Sequence, residues 1–419
     1  MNKTKLTLFS ALTTTFCRLL TSRLALPLLV LTLLAACSGD DDGTAKIKTY
    51  TLRARIDTGY TRVSHDDTDD YLKCNWEVGD KVELKPTATS QVTGTYVFTV
   101  TSVKVSGEAV LTYTGILPET DYFVGRATYL PGEGDACLQE TNGSTSHLKY
   151  GEVLTADIRE KLLANLLGED GEVLTFRHEQ TNVYRVSFTA PDELTPGAVF
   201  SIIGAWERGD ASVKLGFAAA KGEEVDVYII FDAGKVPADG TLIYSLDTGD
   251  KLYTLARTYT TAVTFDVGKF WAENLTTSQL KLRSTPGDFG CRSKTVWNAL
   301  GESELMTWDE AAAISREGYV LPTREQYEEL IETTTWHKTD NYHCTSERGY
   351  IVAGKLAGYR GNYIFFPEQG NDYSADGGYY WTSDEFDEYA FVLMFGGDTG
   401  EPTVSAIYKD MTCSVRLAK

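Results

Sequence analysis

Short alternating runs of apolar and polar residues fill the chain from residue 46 to 275, and they restrict its folding more than any other feature. A period of two places every second side chain on one face, which suits half-buried strands. Runs at 46–60, 81–85, 96–105 and 109–113 are separated by Gly79-Asp80, Gly94 and Ser106-Gly107, the residue types that turns use. Further strand-like runs follow at 173–176, 183–189, 199–203, 225–231, 241–246 and 262–267. Residues 156–167 read differently. Ile158, Leu162, Leu163, Leu166 and Leu167 share one side of a predicted helix, expected to connect two β units. The composition agrees with strands: 24 Tyr, 17 Phe, and 37 Gly against 11 Pro. With 42% hydrophobic residues, a mainly disordered chain is excluded.

After about residue 275 the pattern changes. Thr307-Trp308-Asp309-Glu310 and Thr323-Arg324-Glu325-Gln326 are capping boxes, predicting helices near 308–316 and 324–332. Pro322 separates them. Short strands are expected at 350–355, 362–366, 379–382, 390–395, 404–408 and 413–417, so this part reads as α+β.

Residues 1–36 hold Lys3, Lys5, Arg18 and Arg23 but no acidic residue, and 24–36 are almost wholly apolar. That run suits a signal peptide and is too short to span a bilayer as a helix. Its end, Leu34-Ala35-Ala36-Cys37, resembles the lipobox of bacterial lipoproteins, which implies a lipid on Cys37 and cleavage just before it. The acidic tether at 37–45, with Asp40-Asp41-Asp42, resembles the surface-export signal of Bacteroidetes lipoproteins. The expected location is therefore the outer membrane and cell surface, held through the lipid anchor. A net charge of −20 repels phosphate, so no nucleic-acid partner is expected. Five cysteines lie beyond Cys37, and export permits disulfides. The expected pairs are Cys74 with Cys137 and Cys344 with Cys413. No CxxC pair supports zinc or thioredoxin chemistry.

Two longer resemblances organise the rest. Trp76-Glu77-Val78-Gly79-Asp80, with Thr61-Arg62-Val63-Ser64 upstream, resembles the W-x-x-G-D element of Bacteroidetes fimbrillin-like proteins. Leu174-Thr175-Phe176-Arg177-His178 is similar to the start of their second unit. The later part resembles the Fibrobacter-type paralogous domain, which has a C-type-lectin-like fold. The similarity runs from Trp271-Ala272-Glu273-Asn274-Leu275 through Gly318-Tyr319-Val320-Leu321-Pro322-Thr323 and Ile364-Phe365-Phe366-Pro367. It continues through Gly378-Tyr379-Tyr380-Trp381-Thr382-Ser383 to Ser414-Val415-Arg416, with Tyr327 standing where that family usually has Trp. Together these imply a mainly β fold. A β-sandwich at 46–168 and another at 169–275 would precede an α+β lectin-like domain at 284–419.

For function, the fimbrillin resemblance implies a pilus (fimbrium) subunit whose first strand is removed by an Arg-specific protease. Arg53, Arg55 and Arg62 are the candidate cleavage sites. A neighbouring subunit's strand then fills the groove. A globular domain at the C-terminal end favours a tip subunit or adhesin over a stalk subunit. The alternative is a permanently anchored glycan-binding lipoprotein that does not polymerise. Glu368, Asn371, Asp372 and Tyr373 on one polar loop are the candidate contacts to a glycan or protein ligand. No cofactor is expected beyond the lipid; were calcium to bind, Asp376 and Asp384 are its candidate ligands. No enzyme is expected, because no nucleophile–base set or metal set is legible.

Overall fold

Trp76, Gly79 and Asp80 show how the first unit is started by local chemistry. Gly79 sits at φ +101°, a conformation that a Cβ would strain. The Asp80 carboxylate accepts the Glu77 N–H at 2.8 Å and ties the turn. Trp76 is thereby turned inward, edge-on to Phe176 at 5.2 Å. In the computed structural model, the described residues are 47–57, 76–130, 137–144, 154–178, 181–204, 209–232, 234–266, 270–276, 279–299, 304–372, 374–397 and 400–419. Cys37, Arg62, Cys74 and Tyr373 lie outside them.

The molecule is mainly β. Its first strands are β1 (Lys48–Ile56), β2 (Lys81–Pro86), β3 (Tyr96–Val103), β4 (Ala109–Gly115), β5 (Tyr122–Leu130), β6 (Leu138–Gln139), β7 (Leu154–Leu162) and β8 (Val173–His178). Seven of them close a barrel in the order β1-β4-β3-β2-β5-β7-β8. A sandwich was the expectation here. The parallel pairing of β8 with β1, with Arg53 opposite Val173, joins the two edges and closes the sheet instead. It also carries the first unit past residue 168. Leu52, Ala54, Phe98, Phe123 and Phe176 fill its core.

The helix expected at 156–167 is a strand. Ala156 and Ile158 are buried while Asp157 and Arg159 are exposed, and β7 pairs with β5 through Ala127–Ala156. Of the leucines that mimic a helical face, Leu162 ends the strand, Leu163 opens a short 3-10 turn, Leu163–Asn165, and Leu166 and Leu167 follow that turn.

The second unit contains β9 (Thr181–Thr189), β10 (Val199–Ile203), β11 (Asp210–Leu215), β12 (Glu224–Asp232), β13 (Gly234–Val236), β14 (Thr241–Asp247), β15 (Leu252–Thr258), β16 (Val263–Phe265), β17 (Phe270–Asn274) and β18 (Lys281–Leu282). One sheet runs β18-β15-β14-β10-β11-β6 and another β12-β9-β17. A single core joins them, with Phe188 stacked on Phe200 at 4.9 Å. β6 arrives from the connection after β5. Its buried Gln139 amide donates to the Asp226 carbonyl at 2.8 Å and accepts the Tyr228 N–H at 3.1 Å. That side chain supplies β12 with bonds a neighbouring strand would otherwise make.

The last part holds α1 (Trp308–Ala312), β19 (Ser315–Arg316), β20 (Tyr319–Val320), α2 (Arg324–Thr333), β21 (Thr334–Tyr342), β22 (Glu347–Gly354), β23 (Tyr363–Pro367), β24 (Gly378–Phe386), β25 (Tyr389–Gly396) and β26 (Gly400–Tyr408). Both predicted capping boxes form. α1 is shorter than expected, because Ser315 and Arg316 enter a hairpin with β20. α2 packs Tyr327 against Trp297 at 4.8 Å, over strands β24 to β26. Residues 413–418 are buried and carry Arg416 into the core. Its guanidinium donates to the carbonyls of Asn298, Ala299 and Phe365 and lies over the Phe366 ring.

The described residues of 49–113 and 117–419 form one compact unit. Within it, a shared apolar cluster joins Ile203 and Ile243 to Ile351, Ala353, Tyr363 and Phe365. The Tyr363 hydroxyl meets Ser245 Oγ at 2.7 Å, and Thr254 donates to the Gly361 carbonyl at 2.8 Å. Gly209 lies so close to the Lys338 carbonyl that a Cβ there has no room.

Candidate functional site

The loop between β23 and β24 carries the acidic and amide groups singled out above, and most of them are engaged by the protein itself. Asn371 Oδ1 accepts the Ser374 N–H at 2.9 Å, which closes a turn, and Asn371 also hydrogen-bonds the Cys413 thiol. Asp372 Oδ2 accepts the Thr412 N–H at 2.8 Å. Gln369 accepts from Ser414 Oγ at 2.8 Å. These bonds pin the loop to residues 412–414.

Arg348, on β22, gathers the carboxylates. It lies 3.5 Å from Glu368 Oε2, 3.5 Å from Asp376 Oδ1 and 3.6 Å from Asp340 Oδ1. The Glu368 side chain is only 3% exposed, and its Oε1 has no hydrogen-bond partner among the described residues. Asp384 is spent elsewhere: its Oδ2 accepts the Arg324 N–H at 2.6 Å, at the first turn of α2. That is a favoured place for a carboxylate, since the first helical N–H groups lack partners and the helix dipole is positive there. Asp376 therefore faces a guanidinium while Asp384 caps a helix. No group of three or more His, Cys, Asp or Glu side chains able to hold a metal is found among the described residues. The Arg348 hub was missed in the sequence, where it is one Arg beside a Gly in a strand.

The aromatics divide. Tyr363, Tyr380 and Trp381 are buried, Phe365 lies in the shared cluster, and Tyr379 packs on the core beneath β24. Tyr359 lies against Gly290. Among the described residues of the last part, the rings left open are Phe386 and Tyr408, at 46% and 47% exposure. Phe386 lies outside the strands expected from the sequence, and Tyr408 ends one of them. The signal available, for Phe386, was the crowding of polar residues around it, Ser383-Asp384-Glu385-Phe386-Asp387-Glu388.

The disulfide expectation is corrected. Cys137 bonds to Cys344, with their Cα atoms 5.9 Å apart and 207 residues between them in sequence. Cys413 is fully buried, and burial pushes its thiol up to about 12; Cys291 is also a buried free thiol. The pairing follows from tertiary placement. β6 runs beside β11, whose Lys214 accompanies it and donates to the Cys344 carbonyl at 3.0 Å. Cys344 sits at the tip of the β21–β22 hairpin, where His343, Cys344 and Ser346 all have positive φ. Such backbone persists where surroundings enforce it.

His343, beside the bond, is held between the Tyr342 ring at 3.9 Å and Asp247 Oδ2 at 3.7 Å. Burial pulls it down to about 4 despite the nearby carboxylate. The same cause holds His337 at about 4. Both serve as neutral packing groups at ordinary pH.

Arg53 and Arg55 lie within β1. Arg53 pairs with Glu108 at 2.7 Å and donates to the Glu169 and Gly171 carbonyls; Arg55 donates to Thr175 at 3.0 Å.

No family model matches the chain, and no curated protein matches it. Among solved structures, a “putative cell adhesion protein” from Bacteroides fragilis aligns with 55% of this chain and 97% of its own. The identity is 13% and the TM-score 0.29.

Proposed function

We propose that the chain is a surface-exposed lipoprotein of fimbrillin-like, adhesin type. Two N-terminal β units hold a C-terminal, lectin-like unit outward from an outer membrane. The observation that carries this reading is the joint between the second and the last unit. A disulfide, a shared apolar cluster and a set of short side-chain bonds combine there. A disulfide of this kind belongs in an oxidising, exported setting, in keeping with the lipobox ahead of Cys37. A rigid joint suits a binding unit that must transmit force instead of swinging on a linker.

Assembly into a fimbrium would use β1. Its Tyr50, Leu52 and Ala54 fill the barrel core, so removing the strand opens a slot between β4 and β8 that an incoming strand can fill. Cleavage after Arg62 releases the whole of β1. Cleavage after Arg53 or Arg55 requires a protease to enter a paired strand and leaves part of it behind, so Arg62 is the preferred site. The glycan or protein ligand is met by the last unit, and no catalytic role is assigned.

The test is mass spectrometry of N-terminal peptides from sheared surface material and from the membrane fraction of untreated cells, with protease shaving of intact cells done on a parallel culture. A new terminus following Arg62 in the sheared material is the expected result. Lipidated Cys37 alone, on a chain removed by shaving, rejects strand exchange and leaves an anchored binding protein. A chain that shaving does not reach overturns the surface reading itself.

A further inference from the structure

Phe386, Tyr389 and Tyr408 stand opposite one another on adjacent strands, Phe386 facing Tyr389 and Tyr389 facing Tyr408. Their ring centres are 5.3 and 4.6 Å apart, and the two tyrosine hydroxyls meet at 3.0 Å. Phe391 extends the row at 5.6 Å from Phe386. Further along the same face, Leu393 and Val404 belong to the main core of the last unit. At the distal end, Arg324 on the first turn of α2 covers Phe391 at 4.6 Å, and Phe386 and Tyr408 remain open. The sheet thus carries an aromatic shelf with the start of α2 beside it.

We infer that this shelf is a binding site for a neutral glycan, distinct from the loop at 368–376. The inference rests on the proposal that the last unit is the binding unit. Three observations select the ligand. First, the cations at the rim are compensated. Arg324 pairs with Glu328 at 2.7 Å, and Lys409 pairs with Glu385 while lying over the Trp308 ring. Neither is left to attract an anion, and the chain's charge of −20 repels one. Second, the exposed Asp387 and Glu388, in the turn joining Phe386 to Tyr389, and the tyrosine hydroxyls place hydrogen-bond acceptors beside the rings. Apolar rings edged by acceptors match a sugar, whose C–H face is apolar and whose rim is hydroxyl. Third, a row of four rings is small against the about 800 Å² per partner that a stable protein interface covers. The rings are held by pairing across three strands and by a helix end, so the site is formed before the ligand arrives.

The experiment uses the full mature chain on an array of maltohexaose, cellohexaose, α-mannohexaose and an anionic hexauronate, with and without EDTA. The wild type is compared with the Phe386→Ala/Tyr408→Ala and Asp376→Ala variants, each checked for an unchanged melting profile. The expected result is EDTA-insensitive binding to a neutral hexasaccharide, weakened about tenfold or more in the double variant and unchanged in Asp376→Ala. Binding that the double variant retains overturns the shelf while leaving the adhesin reading intact. So does binding confined to hexauronate, or binding lost with EDTA or in Asp376→Ala. Absence of binding to every glycan also overturns it. Failure of the surface reading shows separately, in the shaving experiment.

Discussion

At the scale of single residues, buried ionisable groups between the second and last units set a pH response. His343 and His337 are held near 4, against an ordinary value of 6.5, because burial disfavours the imidazolium. The unfolded chain therefore binds more protons between about 6.5 and 4, and stability falls as pH drops through that window. Asp210 acts oppositely. Burial pushes it up to about 6, so its folded form keeps a proton that the unfolded form has lost, and stability falls as pH rises from about 4 to about 6. Two histidines against one aspartate leave a net loss on acidification. Melting temperature is expected to fall from pH 6.5 to pH 4, and a His343→Gln variant is expected to show a flatter profile. A His343→Gln profile parallel to wild type would remove the histidine from the account.

At the scale of elements, α2 shows a residue class taking a role other than the expected one. Asp384, an expected calcium candidate, bonds the Arg324 N–H, while Thr323 and Gln326 exchange the bonds of the capping box. Losing a cap of this kind costs about 1 kcal/mol. Asp384→Ala is expected to lower stability by about that amount in urea titrations, equally with calcium or EDTA present. A calcium-dependent difference would restore Asp384 as a ligand. The strand β7 makes the complementary point. Ile158 and Leu162, read together with Leu163, Leu166 and Leu167 beyond the strand, fit a helical face on paper, yet β5 offered a long antiparallel partner, and tertiary pairing outweighed the weak local preference.

At the scale of the whole molecule, Cys137–Cys344 closes a span of 207 residues. Chain-entropy reasoning assigns such a loop roughly 5 kcal/mol, as an upper figure, because structure remaining in the unfolded chain reduces it. A Cys137→Ser/Cys344→Ser variant is expected to melt at lower temperature while keeping its fold, since the apolar cluster and the Ser245–Tyr363 bond remain. Calorimetry with and without reductant checks this: reductant should lower the wild-type midpoint toward that of the variant. An unchanged midpoint in both would make the bond incidental to stability.

The mainly β character, the W-x-x-G-D turn and both helix starts were legible in the sequence, because each depends on residues within a few positions of one another. Trp381 and Phe365 could likewise be assigned to the interior from their apolar surroundings. Closure of the first barrel, the passage of β6 into the second sheet and the choice of Cys344 for Cys137 were not legible. Each joins residues far apart along the chain, and period-two patterning says which face a side chain takes but not which strand lies beside it. The same limit applied to the polar loop. Composition placed Asn371, Asp372 and Asp376 together, and only the packed structure decided that they face Ser374, Thr412 and Arg348. A carboxylate is committed by whichever donor the fold brings within hydrogen-bond reach.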